Sequence, residues 1–341
     1  MARDEVDPPP TDSSPTACLV CQAAGPFRRH QVPLHRYGRD GRPPASYLEC
    51  LECGSLLLHP VPDDSGTEYG KEYHALHGPP GADGTLGSAL RRIRDRWAVT
   101  GKGLPGGILA TLFPPPLEGF SQILRFARAR PDDRILDVGT STGSLLSRMR
   151  EAGFSDLTGI DPYLPADPHH EPGFRLLRMS LNDLEEEGVH EASFDLVMFN
   201  HSLEHVPNPE VELERARRLL SSRGRILVRT PVIPSDAWEM YGTDWVQLDA
   251  PRHQVIFSRT GLPLLAERVG LRLEGIRDDS TEVQFLGSEL YREGRPLHDF
   301  SEHFSWRERR RRRRKARRLN ARSRGDQAAF LFSAASDVRP P

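Results

Sequence analysis

The sequence predicts a doubly wound α/β domain with a mostly parallel sheet, preceded by a small module built around paired cysteines. Three observations carry this reading. From about residue 117 onward, short apolar runs alternate with stretches of helical period, the pattern of strands covered on both faces by crossover helices. An apolar run at 134–138 opens into a glycine-bearing turn and then a helix. All four cysteines, Cys18, Cys21, Cys50 and Cys53, lie near the N-terminus as two C-x-x-C pairs.

Taken in order, residues 1–15 are acidic and proline-rich and read as a disordered arm. Residues 16–62 hold the cysteine pairs, separated by short β-type segments such as Ser46, Tyr47 and Leu48. A connector rich in glycine and proline, 63–116, is interrupted by one helix near 90–97. The α/β domain spans 117–336. Within it 120–129 is helical in period, 134–138 is a strand, 144–152 a helix, 157–160 and 174–178 strands, and 194–199 a strand of buried type. A helix over 210–220 leads to Gly224 and Arg225, which open a strand at 226–230. After a loop at 231–257 come a helix at 260–269 stopped by Gly270, a strand at 271–276, an arginine-rich helix at 302–322 and a last strand at 328–333. No internal repeat is visible.

A chain of 341 residues, 37% hydrophobic and 28% charged, has enough apolar material for one large domain and one small one. No apolar run reaches the roughly 18 residues of a membrane span, so no membrane partner is expected. The N-terminal residues lack the basic-then-apolar pattern of a secretory signal, and a cytoplasmic location is expected. The net charge of −2 conceals an asymmetry: residues 309–315 are all basic, whereas the arm and residues 183–191 are acid-rich. The whole molecule does not read as a nucleic-acid binder, although one segment could.

The turn at 139–143 is the most informative stretch. Gly139 and Gly143 let the backbone approach a ligand with no Cβ in the way, and the following helix offers free N–H groups to an anion. A dinucleotide fingerprint would need glycines where Ser141 and Ser144 stand. Asp137, on the strand just before the turn, would repel a pyrophosphate but suits the ammonium of a methionine moiety. Asp161, after the next strand, can accept hydrogen bonds from both ribose hydroxyls.

On these residues the chain resembles the class I S-adenosylmethionine-dependent methyltransferase superfamily over about 117–280. Residues 135–143 are similar to its first motif, with Ser141 replacing the usual middle glycine. Residues 159–161 are similar to the ribose-binding motif, 194–197 to the fourth-strand motif and 224–228 to the fifth. The resemblance implies a Rossmann-like seven-stranded sheet and an S-adenosylmethionine site formed by Asp137, Gly139, Thr140, Ser141, Gly143, Asp161 and Asn200, with Leu181 and Asn182 at the adenine.

The run from Asn200 through Leu203, Glu204, His205, Val206 and Pro207 looks like the L-E-H-V-P segment of ubiquinone-type O-methyltransferases and of methyltransferases from sugar and natural-product pathways. Some of the former hold a divalent metal with E-x-x-E-H; here His201 stands where the first glutamate would be. His201 and His205 are candidate general bases; alternatively, Glu204 and His205 cap the following helix. Residues 241–253 look like the W-x-x-L-x-x-P-x-H segment of the same enzymes, closing over the substrate side. His253 is the leading base candidate, or else is bonded to backbone. The expected acceptor is a small polar metabolite, such as a sugar or secondary-metabolite intermediate.

Cys18, Cys21, Cys50 and Cys53 read as two knuckles of one tetrahedral four-thiolate zinc site, closed and therefore structural; redox pairs are the alternative. Zinc modules also precede the catalytic domain in C-methyltransferases of deoxysugar nucleotides and in some ribosomal-RNA methyltransferases. An RNA methyltransferase gripping its substrate through this module and the arginine-rich helix is the competing reading. A non-enzymatic adaptor is argued against by the intact Asp137 and Asp161.

Overall fold

A computed structural model describes residues 17–35, 44–61, 86–113, 120–164, 169–186, 193–295, 297 and 300–335. The expected arm at 1–15 and much of the connector lie outside these residues. The N-terminal part contributes β1 (Phe27–Val32), β2 (Ala45–Cys50) and β3 (Leu56–Leu58), then helices α1 (Leu86–Thr100), α2 (Leu104–Leu112) and α3 (Phe120–Phe126). There follow β4 (Arg134–Val138), α4 (Ser144–Glu151), β5 (Asp156–Ile160), β6 (His169–Glu171), β7 (Phe174–Leu177), α5 (Leu181–Glu186), β8 (Phe194–Asn200), α6 (Pro209–Arg218) and β9 (Leu220–Ile233). The chain continues through α7 (Asp236–Tyr241), β10 (Val255–Ser258), α8 (Gly261–Arg268), β11 (Leu271–Asp278), α9 (Val283–Arg292), α10 (Phe300–His303), α11 (Trp306–Asn320) and β12 (Gln327–Ala334).

Seven strands lie in the order β7-β5-β4-β8-β9-β12-β11, the first five mutually parallel and β12 antiparallel to both neighbours. This is the expected Rossmann-like α/β sheet. Alternation along each strand separates its two faces. Leu196, Met198, Leu227 and Leu331 pack beneath α3 and α4, with Ile123, Leu146 and Met149. Val197, Phe199, Val228 and Phe330 pack on the other face with Leu213 of α6 and Leu265 of α8.

The cysteine-bearing segment is joined to this sheet by hydrogen bonds. β1, β2 and β3 form an antiparallel meander, and β3 pairs antiparallel with β10, placing Leu57 opposite Val255 and Leu56 opposite Ile256. β10 in turn runs parallel to the end of β9. Side chains follow the same continuity: Cys18, Val20, Cys50 and Cys53 share a core with Phe199 and Phe257, while Tyr47 and Leu56 share another with Trp245 and Phe285. Arg268 of α8 donates to the carbonyl of Val20 and pairs with Glu210 of α6 at 2.9 Å.

Several elements differ from expectation, among them α2, β6 and α5, which were not predicted. β9 runs on well beyond the predicted 226–230 because β8, β12 and β10 satisfy its backbone along successive stretches. The stretch expected as a loop at 231–257 contains α7, whose N-cap Ser235 accepts from the Trp238 amide, and also β10. α9 was not predicted; it buries Phe285, Leu286 and Leu290. No described helix is long and apolar enough to cross a membrane.

Candidate active site

β4 has parallel neighbours on both sides, β5 reached by one connection and β8 by a later one, so the chain direction reverses here across the sheet. A crevice at the C-terminal ends of such strands is where doubly wound sheets bind ligands. A cleft of about 240 Å³ opens there, lined by Gly139, Ser141, Asp161, Leu181, His201 and His205 among the expected residues.

The turn is shaped for close approach. Gly139 has φ +76°, and a Cβ on it would lie 2.5 Å from that of Ser202. Ser141 itself adopts φ +53°, the left-handed conformation in which a glycine would be unstrained. Its amide donates to Asp161 Oδ2 at 2.9 Å, and the Tyr163 amide donates to Oδ1 at 2.8 Å. Burial pushes the Asp161 carboxyl up, against these two hydrogen bonds.

Asp137 is buried behind the turn, and its Oδ1 has no hydrogen-bond partner. Burial raises it to about 7, the Thr140 hydroxyl opposing and the Asp161 carboxylate adding to the rise. A buried carboxylate oxygen without a donor, next to a glycine cradle, suits an incoming cationic group. Thr140 is buried, and Gly143 caps α4 in a left-handed conformation at φ 69°. Asn182 and Asn200 do not line the cleft: Asn182 accepts from Arg215 at 2.6 Å and donates to Glu186, and Asn200 accepts from Arg229 at 3.1 Å. Tyr163, Met179 and Ser202 line it without having been singled out in the sequence. The aromatic ring two residues beyond Asp161 was the available signal for the first.

The histidines gather around one buried carboxylate. Glu204 is fully buried, and its Oε1 lies 3.2 Å from His201 Nδ1. Burial opposes its charge, yet the hydrogen bond to His201 and the electrostatics of the surrounding histidines prevail and hold it at about 2. His201 sits at φ +57°, with its amide bonded to the Arg229 carbonyl at 2.8 Å; a strained backbone fixed in this way is common where a side chain must be aimed. His205 Nδ1 meets the Arg252 carbonyl at 3.0 Å, and its ring packs edge-on against His253, 4.7 Å between centroids. His253 lies behind it, outside the cleft lining, with Nδ1 2.7 Å from the Gln247 carbonyl. Burial lowers His205 to about 3 and His253 to about 4, so both imidazoles are neutral near pH 7. Ligand atoms of Glu204, His205 and His253 lie within 4.8 Å of one another, a set able to hold a cation.

Glu204 does not cap the next helix; Asn208 does, accepting from the Val211 amide. Nor are the aromatics of 241–253 presented to the cleft. Trp245 is fully buried and donates to Asp326 at 3.0 Å, and Tyr241 donates to Glu289. Their apolar area is spent on the core beneath β2 and β3.

The four thiols converge. Cys18 and Cys53 sulfurs are 3.8 Å apart, those of Cys21 and Cys50 3.6 Å, and all four lie within 4.8 Å with no disulfide formed. A tetrahedral ion with metal–sulfur bonds of about 2.3 Å would space its sulfurs about 3.8 Å apart. The donor set and spacing fit zinc.

The fold is a doubly wound α/β domain with a cleft at the carboxyl ends of its strands, and residues 117–275 match the family model of a methyltransferase domain. Over 128 residues the chain is 28% identical to the ubiquinone biosynthesis O-methyltransferase of Pectobacterium atrosepticum, covering 35% of this chain and 52% of that protein. The enzyme of the same name from Photobacterium profundum is 31% identical over 102 residues, covering 28% and 43%. The chain thus spans about half the length of the relatives it matches. Among solved structures, the 1,6-didemethyltoxoflavin-N1-methyltransferase of Burkholderia thailandensis aligns at 14% identity and TM-score 0.41, over 76% of this chain and 94% of that one.

Proposed function

We propose that this chain is an S-adenosylmethionine-dependent methyltransferase that methylates a small polar metabolite, such as a sugar or secondary-metabolite intermediate, at a hydroxyl oxygen. The observation that carries the reading is the buried, partly unpartnered Asp137 carboxylate beside the Gly139 cradle. Asp137 receives the amino-acid ammonium, Asp161 the ribose hydroxyls, and the apolar wall at Met179 and Leu181 the adenine. When bound, S-adenosylmethionine supplies an electrophilic methyl group. His201 takes the acceptor's hydroxyl proton, and the Glu204 carboxylate orients its ring and stabilises the charge it gains. The oxygen acceptor is supported by the names of the relatives. The four cysteines hold one structural zinc ion that fastens the N-terminal hairpin.

Titration calorimetry tests the cofactor assignment. Asp137→Ala should weaken S-adenosylmethionine binding at least tenfold, about 1.4 kcal/mol. Unchanged affinity would overturn it.

A further inference from the structure

We propose that the solvent face of α11 is a docking surface for single-stranded nucleic acid, separate from the cofactor cleft. The helix is held to the body by its other face. Ala316 and Leu319 are buried, Arg313 grips Glu282, Arg312 reaches Glu289, and Lys315 lies over the Phe285 ring at 4.3 Å. A capping box at Ser305 and Glu308 closes its N-terminus. None of these anchors involves Arg307, Arg310, Arg311, Arg314 or Arg318.

Those five arginines are all exposed, and among the described residues none of them forms an ion pair. At about 100° per residue they fall within one third of the helix circumference, spread over about 16 Å of its length. Like charges three and four residues apart oppose helix formation by a few tenths of a kcal/mol per pair. The face is therefore maintained against the helix's own stability and without a paired counter-charge among the described residues. Guanidinium forks match phosphate oxygens in bidentate geometry.

The choice among polyanions comes from Trp306. It opens the helix 68% exposed, with the Arg310 guanidinium 5.1 Å from its ring centroid. An exposed indole next to a row of arginines is a platform on which an unpaired base stacks while the phosphates follow the charges. A membrane would require an apolar face free to insert, and the apolar residues of α11 other than Trp306 are turned inward.

The test uses the full chain and a short fluorescein-labelled oligouridylate, read by anisotropy between about 50 and 200 mM salt. Binding should weaken with salt along a log–log slope of about −3.5, as about five phosphate contacts on a single strand predict. The variant R307Q/R310Q/R311Q/R314Q/R318Q should lose at least tenfold in affinity and most of that slope, with an unfolding midpoint that does not fall. Trp306→Ala should lose several-fold, and Asp137→Ala should bind the RNA like the parent chain. The proposal is overturned if the parent chain shows no salt-sensitive binding or if the five-arginine variant binds equally well. It is also overturned if Asp137→Ala abolishes binding, or if polyglutamate or phosphatidylserine vesicles bind where the RNA does not.

Discussion

The buried hydroxyl of Tyr47, on the second strand of the cysteine-bearing hairpin, donates to the main-chain carbonyl of His253. The His253 ring rests against His205, which lines the cleft. Two contacts thus connect the hairpin to the chemistry, across more than two hundred residues of chain.

Tyr47→Phe keeps the ring in its pocket but leaves that carbonyl without its donor. Leaving a buried acceptor unmatched costs about 1–3 kcal/mol. The denaturant midpoint should fall by a corresponding amount with the slope unchanged. An unaltered midpoint would show that the hydroxyl contributes nothing.

Elemental analysis should find about one zinc per chain, lost in Cys50→Ser. Because β3 is bonded to β10 and the two parts share cores, metal loss should lower the single unfolding transition of the whole molecule. A separate early transition for the hairpin would contradict this coupling.

Asp137 sets a pH dependence. Its unfolded carboxyl titrates near 3.8, whereas burial holds the folded one at about 7. The folded chain therefore keeps a proton that the unfolded chain releases between these values. Stability of the free protein contributed by this group declines as pH rises from about 4 to 7. Binding an ammonium demands the ionised form, so S-adenosylmethionine affinity should fall by up to about tenfold per pH unit below 7. Calorimetry at several pH values should show this in the parent chain and a flat response in Asp137→Asn.

His201→Ala should lower kcat by roughly 10²–10⁴, the range of a positioned general base. Glu204→Gln should lower it less, since the ring keeps a hydrogen-bond partner but loses the counter-charge. Neither should alter S-adenosylmethionine affinity measured by calorimetry. Full turnover in His201→Ala would remove the base assignment.

The α/β order was legible because its strands are short apolar runs between helical periods, and all seven strands of the main sheet were placed within a few residues of their observed bounds except β9. The glycine turn, Asp137 and Asp161 were legible because backbone approach and charge leave a mark on residue type. The hairpin's union with β10 was not: two short apolar segments two hundred residues apart carry no sign that they pair. The sequence put His253 first among the three histidines, whereas that residue lies outside the cleft lining. Exposure to the cleft separates His201 and His205 from His253, and only His201 faces it while bonded to a buried carboxylate. Residues 241–253 were expected to close over the substrate side, but the aromatics among them share a buried core with Tyr47 and Phe285, far away in the chain.

Placing β3 along β10 also determines how the molecule can be divided. A catalytic domain expressed from residue 117 would carry a bare edge strand, with the backbone groups of Gln254 and Ile256 that face β3 left unpaired. Such an edge is a template for strands of other molecules. The truncated domain should therefore aggregate, however intact its cofactor site, and the N-terminal hairpin serves the enzyme as a permanent guard against self-association.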